Sequence, residues 1–280
     1  MRVILSQKQA KGSSVMEESQ TALHPLKAKM QAGQAVLGLS LRMIRSPDAA
    51  RLARNTGHDF LFIDVQHAIF NLESIFALAQ TALAIGIAPL VRVRSIDDPD
   101  VPVLLDNGIT GIVFPDVNTP EQAKYAVDRC RFPPIGRRSV AGGYVHFDYR
   151  AMPVAKATAA LEAHTLVVCM VETAEGLSNL EAIAAVPGVD VVHIGANDLL
   201  VSLGKAGQFD DPIVVEAMDR AIAATAPHGG FAGCGGNRDV PRQAASIKRG
   251  VRFLTTQTDI GFLSAAASQW TAGLHAALKS

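Results

Sequence analysis

Net charge, aromatic surface and thiol chemistry are all scarce in this chain of 280 residues. Lys and Arg number 26 and Asp and Glu 26, so the formal charge is zero, with the two signs interspersed. That leaves no basic stripe for a nucleic acid and no Lys/Arg block for an anionic membrane. The three cysteines, Cys130, Cys169 and Cys234, stand far apart, without a CxxC or the Cys/His spacing of a zinc site. They are expected to be buried free thiols. No apolar run reaches the ~18 residues of a membrane span. The opening "MRVILSQKQAKGSSVMEESQ" starts like a signal peptide, but its apolar part is only three residues long, so a cytoplasmic location is expected. A GxGxxG turn after an early strand is also missing, which argues against an open dinucleotide-binding sheet.

What remains is rich in Ala, Gly and aliphatic residues, the balance of a packed α/β enzyme. Residues 1–25 are Ser-, Gln- and Lys-rich and read as a flexible extension; residues 26–280 read as one domain. Eight short apolar runs recur along it: 36–41, 60–65, 88–93, 111–117, 166–172, 191–196, 230–235 and 253–258. Each is rich in Val, Ile, Leu or Phe and is bounded by Gly, Pro or Asp, as buried strands are. Amphipathic segments lie between them, two opening with Ser or Thr followed by Pro and an acid. Strands alternating with helices imply parallel pairing, and this number over the available length predicts a single (β/α)8 TIM barrel. Residues 131–165, with several Pro and Gly, are expected to form a long loop over the barrel mouth.

Chemistry in such barrels gathers at the carboxyl ends of the strands. Those ends offer Asp64, Gln66 and His67, then Arg92 and Arg94, Asp116, Glu172, Asn197 and Asp198, and finally Gln257 and Asp259. Glu172 follows the apolar "LVVCMV", and a carboxylate ending a buried strand is costly unless it is paired or metal-bound. Asp198 ends the next strand. Two neighbouring carboxylates repel unless they share a proton or a cation, so they can hold a divalent metal, or each can cap the helix that follows. An oxygen-rich site suits Mg2+ or Mn2+, with Co2+ also possible, better than Zn2+. His193 lies inside its strand and is expected to be a core residue. Arg92 opposite a dication suits a small anion or a developing enolate, and His67 is a natural proton-transfer group near neutral pH.

The segments "FIDVQHA", "APLVRV", "LLDNGITGIVFPDV", "FPPIGRRSV", "MVETAEGLSNL" and "VDVVHIGANDLLVSLG" together resemble the HpcH/HpaI aldolase family, over roughly residues 30–275. The resemblance implies a metal-dependent lyase that cleaves or forms 4-hydroxy-2-oxo acids through a pyruvate enolate. It implies Glu172 and Asp198 as metal ligands, Arg92 as the group steadying the enolate oxygen, and His67 as acid/base. The backbone of Gly195, Ala196 and Asn197 would hold the substrate carboxylate, with Gln66 and Met170 lining the substrate. Asp106 would raise the basicity of His67 and, because it precedes the fourth strand, would have to reach it from a neighbouring subunit. A homohexamer, with the last helix packed on another subunit, is implied as well. Two features depart from the family pattern: "QH" stands where "EH" is common, and Met170 where Gln is frequent. Relatives that use oxaloacetate as the enolate source, including macrophomate synthase and a citrate-forming enzyme, would share the same metal site. A CoA-ester lyase and an inactive oligomeric scaffold are the remaining alternatives.

Overall fold

The computed structural model describes residues 25–279; the expected extension, apart from Pro25, lies outside the described residues. The strands are β1 (Val36–Leu41), β2 (Phe60–Asp64), β3 (Ala88–Arg92), β4 (Gly111–Phe114), β5 (Leu166–Val171), β6 (Val191–Gly195), β7 (Phe231–Gly235) and β8 (Phe253–Thr258). They close in sequence order into one parallel barrel, β8 pairing with β1. This is the (β/α)8 architecture that the alternation predicts.

Side chains alternate along each strand, so one row points outward to the helices and the other into the barrel. The outward row, including Leu61, Ile63, Val91, Ile112, Val167, Cys169 and Ile194, packs against the helices in the larger core. The inward row, including Phe60, Phe62, Leu90, Val113, Val168, Met170 and Phe253, forms a second core inside the barrel. Leu26 and Met30 of the helix Leu26–Gln31 join this inner core, and Lys29 pairs with Asp59 just ahead of β2. The first helix therefore closes the amino-terminal end of the barrel. Chemistry is confined to the other end.

His193 is on the inward row, buried between the rings of Phe62 and Phe253, and burial pushes its imidazole down to about 3. It is a neutral core residue, as expected. The three cysteines are free and buried; burial pushes Cys130 and Cys234 up to about 12 and raises Cys169 too, so none is a ready nucleophile.

The segment 131–165 departs from expectation. It contains the helix Val154–His164, and its loop packs at the amino-terminal end of the strands rather than over the mouth. His146 meets the carbonyl of Ile109 just before β4, Arg138 pairs with Asp106, and Arg131 pairs with Asp190 just before β6. Pro and Gly correctly marked irregular backbone. What decides its end of the barrel is the apolar set Phe132, Tyr144, Val145 and Phe147, which packs with Leu83.

Gly38 of β1 leaves room for the Phe60 ring, which stacks on Phe253 at 4.4 Å between centroids. Gly38→Ala is therefore expected to destabilise the chain by about 1–3 kcal/mol through overpacking, seen as a lower urea midpoint at unchanged slope. An unchanged midpoint would show that the inner core is loosely packed.

Candidate active site at the barrel mouth

The inward rows end in polar groups. On β2 the sequence Phe60, Phe62, Asp64 points inward; on β3 it is Ala88, Leu90, Arg92; on β5 Leu166, Val168 and Met170 lead to Glu172. Asp64 and Arg92 are register partners across β2 and β3. Their side chains form a two-point ion pair, Arg92 Nε donating to Asp64 Oδ1 at 3.1 Å and Nη2 to Oδ2 at 2.8 Å, both residues buried. Burial alone would raise the Asp64 carboxyl, but the Arg92 guanidinium and the His67 amide outweigh it and hold it below the usual carboxylate range. One edge of Arg92 is thereby fixed. Its Nη1 is left facing the Met170 sulfur at 4.0 Å, and the guanidinium lies over the Phe62 ring.

Glu172 follows β5 and is 2 % exposed. Its Oε1 accepts the Asp116 amide at 2.9 Å, while Oε2 is buried without a hydrogen-bond partner. Asp116 adopts φ 52°, a left-handed conformation that Asp tolerates better than most residues and that belongs to the turn presenting this amide. A Cβ at Gly195 would fall on the Glu172 carboxylate, so β6 must end in glycine for the acid to lie there. Burial, followed by the charges of Asp116 and Asp198, pushes the Glu172 carboxyl up to about 7.

The helix-cap alternative fails for both acids. Thr173, not Glu172, caps the next helix by accepting the Gly176 amide. Asp198 lies within the first turn of the helix Ala196–Ser202, whose cap is Gly195. A buried oxygen without a donor, close enough to a second carboxylate to feel its charge, suits a hard cation ligated by oxygen. Among the described residues no group of three or more His, Cys, Asp or Glu side chains converges on one point.

His67 stands on the exposed turn after β2, its amide donating to Asp64 Oδ1 at 3.1 Å and its carbonyl accepting from Arg42 at 3.2 Å. Gln66 beside it has a buried Oε1 without a partner. Ala196 and Asn197 open their short helix, where first-turn amides have no partner inside the helix. Asp106 is elsewhere. It ends the helix Val101–Asp106 that leads down to β4, and its carboxylate accepts from Arg138 at 2.8 Å. Within one chain it is not brought to His67.

Two arginines and one acid gain roles that strand-end reading did not give them. Asp64 is the anchor of Arg92, a pairing legible from the inward alternation of two adjacent strands. Arg42, after β1, and Arg238, after β7, also border the mouth. Arg42 continues the inward row of β1 as Glu172 continues that of β5, whereas Arg238 belongs to a loop, where no periodicity exposes it.

Glu172 also predicts how the metal-free chain responds to pH. Below its ordinary 4.5 the carboxyl is protonated whether the chain is folded or unfolded; between 4.5 and about 7 only the folded chain keeps the proton. Stability should fall as pH rises through that window, and the full penalty, on the order of 2–3 kcal/mol, applies above it. In chelator, Glu172→Gln should be about 1–2 kcal/mol more stable than the parent at pH 8 and equal to it near pH 4.5 by chemical denaturation. Equal stabilities at pH 8 would mean that the buried oxygen is already satisfied.

Comparison with known proteins agrees with this geometry. The HpcH/HpaI aldolase/citrate lyase family profile matches residues 43–256. The chain is 36% identical over 246 residues to the 4-hydroxy-4-methyl-2-oxoglutarate aldolase tasA of Hapsidospora irregularis, covering 86% of this chain and 91% of that one. It is 33% identical over 257 residues to a hydroxypyruvate/pyruvate aldolase of Cupriavidus necator, covering 91% and 93%. The crystal structure of an HpcH/HpaI aldolase from Desulfitobacterium hafniense superposes with a TM-score of 0.85 at 27% identity, covering 90% of this chain and 96% of that one. With an inward-facing acid, arginine and glycine set at the mouth of a matching barrel, the chain belongs to the HpcH/HpaI aldolase/citrate lyase family and is a carbon–carbon lyase of the aldolase type.

Proposed function

We propose that this enzyme cleaves and forms 4-hydroxy-2-oxo acids through the enolate of pyruvate. The observation that carries the reading is the Glu172 oxygen, buried and unpartnered beside Asp198 and across the mouth from Arg92. The family is generally dependent on a divalent metal. Glu172 and Asp198 would hold it, with Mg2+ or Mn2+ favoured by their oxygen donors. Bound there, such an ion would withdraw charge from the 2-oxo acid and lower the energy of its enolate.

The remaining steps belong to the chain itself. In cleavage, a base removes the proton of the C4 hydroxyl and the C3–C4 bond breaks. Its electron pair stays on C3 as the enolate, and the aldehyde departs; a proton added at C3 then gives pyruvate. His67, on the exposed rim, is assigned the proton transfers. Arg92 offers Nη1 to the enolate oxygen while Asp64 holds its other edge, so the donor is oriented before charge develops. The amides of Gly195, Ala196 and Asn197 are assigned the substrate carboxylate, and Gln66 and Met170 its remaining surface. Asp106 can assist His67 only from a neighbouring subunit. The helix Asp259–Ala277 favours such an assembly, since it exposes Phe262, Leu263, Trp270 and Leu274. A homohexamer built on that helix is part of the proposal. A cytoplasmic location suits the three free thiols, and among the described residues no helix is long and apolar enough to cross a membrane.

Pyruvate release from 4-hydroxy-2-oxo acids, coupled to lactate dehydrogenase, tests the reading. Activity should vanish in EDTA and return with Mg2+ or Mn2+, and Glu172→Ala should not recover. Arg92→Lys should retain metal binding yet lose turnover by roughly a hundredfold or more, because an ammonium cannot grip Asp64 at two points and still present a donor. Full activity of Glu172→Ala in chelator would end the proposal. Light scattering checks the assembly: Trp270→Asp should shift the chain to a smaller species, and a monomeric parent would remove Asp106 from the chemistry.

A further inference from the structure

The turn that carries His67 is not held together by its own backbone. Among the described residues, no hydrogen bond between backbone groups involves residues 66–70. The turn is secured at its two ends. The Val65 amide donates to the Arg92 carbonyl at 2.9 Å, and Asn71 caps the helix Leu72–Ile85. Between those points His67 and Ile69 are exposed, Ile69 by 84 %. A stretch with so few backbone bonds opens locally at little cost unless side chains restrain it.

The loop after β1 supplies the restraint. Arg45 donates from Nε and Nη2 to the Ile69 carbonyl at 2.9 and 2.6 Å, and from Nη1 to the Met43 carbonyl at 2.8 Å. Its guanidinium also lies 5.2 Å from the centroid of the buried Phe70 ring. One planar fork thus joins two loops, and a point charge cannot reproduce it. Nearer the mouth, Arg42 Nη2 donates to the His67 carbonyl at 3.2 Å. The loop after β1 is anchored in turn by Asp259, which is 4 % exposed. The Asp259 carboxylate accepts the amides of Arg42, Met43 and Ile44 at 3.0, 2.8 and 2.7 Å. Met43 is therefore bonded on both sides, its amide to Asp259 and its carbonyl to Arg45. A continuous relay runs from Asp259 through Met43 and Arg45 to Ile69, two residues from His67.

We propose that Arg45 is a positioning residue for His67, with Asp259 as its anchor. Together they hold the turn after β2 so that the imidazole keeps one place on the rim. The inference rests on the assignment of the proton transfers to His67 and deepens it. All three Arg45 side-chain nitrogens face carbonyls of the chain itself. Its effect is confined to how often the imidazole stands within reach of the moving proton, which is a matter of turnover and not of binding.

Arg45→Met removes the donors and keeps an apolar side chain over Phe70. In Mn2+, kcat for pyruvate release should fall by roughly ten- to a hundredfold, while KM moves by under about threefold. Mn2+ affinity and the urea midpoint should stay at their parental values. Arg45→Lys, which can reach one carbonyl, should recover part of kcat, and Asp259→Asn should lower kcat as Arg45→Met does. The decisive comparison is a double-mutant cycle with His67→Ala, read by turnover and by exchange of pyruvate methyl protons in D2O. With the imidazole gone, Arg45→Met should cost under about twofold, because nothing is left to position. Equal losses in the two backgrounds, a loss confined to KM, or a parental kcat in Arg45→Met would overturn the relay and leave the aldolase reading standing. Parental turnover and exchange in His67→Ala would refute the acid/base assignment, and the relay with it.

Discussion

A carboxylate that is buried and only half satisfied is the constraint around which this barrel mouth is organised. Glu172 gives one oxygen to the Asp116 amide and leaves the other without a donor, 2 % exposed. An ionised acid in such a place is unfavourable by kilocalories unless something positive is near. The chain does not supply that charge directly. Arg92, the nearest candidate on the inward rows, is turned toward Asp64 instead. The fold thus keeps its arginine and its acid apart, holding each in a state that a substrate and a cation can complete.

Asp64 is what makes the separation possible. Because it shares a register position with Arg92, two hydrogen bonds fix the guanidinium plane before any ligand arrives. The same carboxylate draws in the His67 amide and so ties the proposed acid/base residue to the arginine. Glycine at Gly195 completes the arrangement by giving Glu172 the space a side chain would take. Each of these devices uses one property of a strand end: the inward row loses its apolar neighbours there.

Fold class and strand positions were legible in the sequence because buried parallel strands are short aliphatic runs with sharp polar ends. Asp64, Arg92 and Glu172 were visible as such ends, and two-residue alternation explains why all three face inward. Loops were less legible. Residues 131–165 were expected over the mouth, yet Phe132, Tyr144 and Phe147 carry that segment to the opposite end, a choice set by tertiary packing and not by local composition. Arg238 escaped notice for a related reason: no period governs a loop side chain, and only the assembled barrel brings β7 and β1 to either side of β8. Asp106 shows the converse. The resemblance implies a role for it, while chain order alone places it before β4, where Arg138 holds it.

The proposed chemistry requires that Glu172 and Asp198 share a divalent ion. Mn2+ titration followed by electron paramagnetic resonance, at pH 8 and without substrate, measures it most directly. One Mn2+ should bind per chain, with affinity lost by roughly a hundredfold in both Glu172→Gln and Asp198→Asn. Undiminished Mn2+ binding in either variant would contradict it.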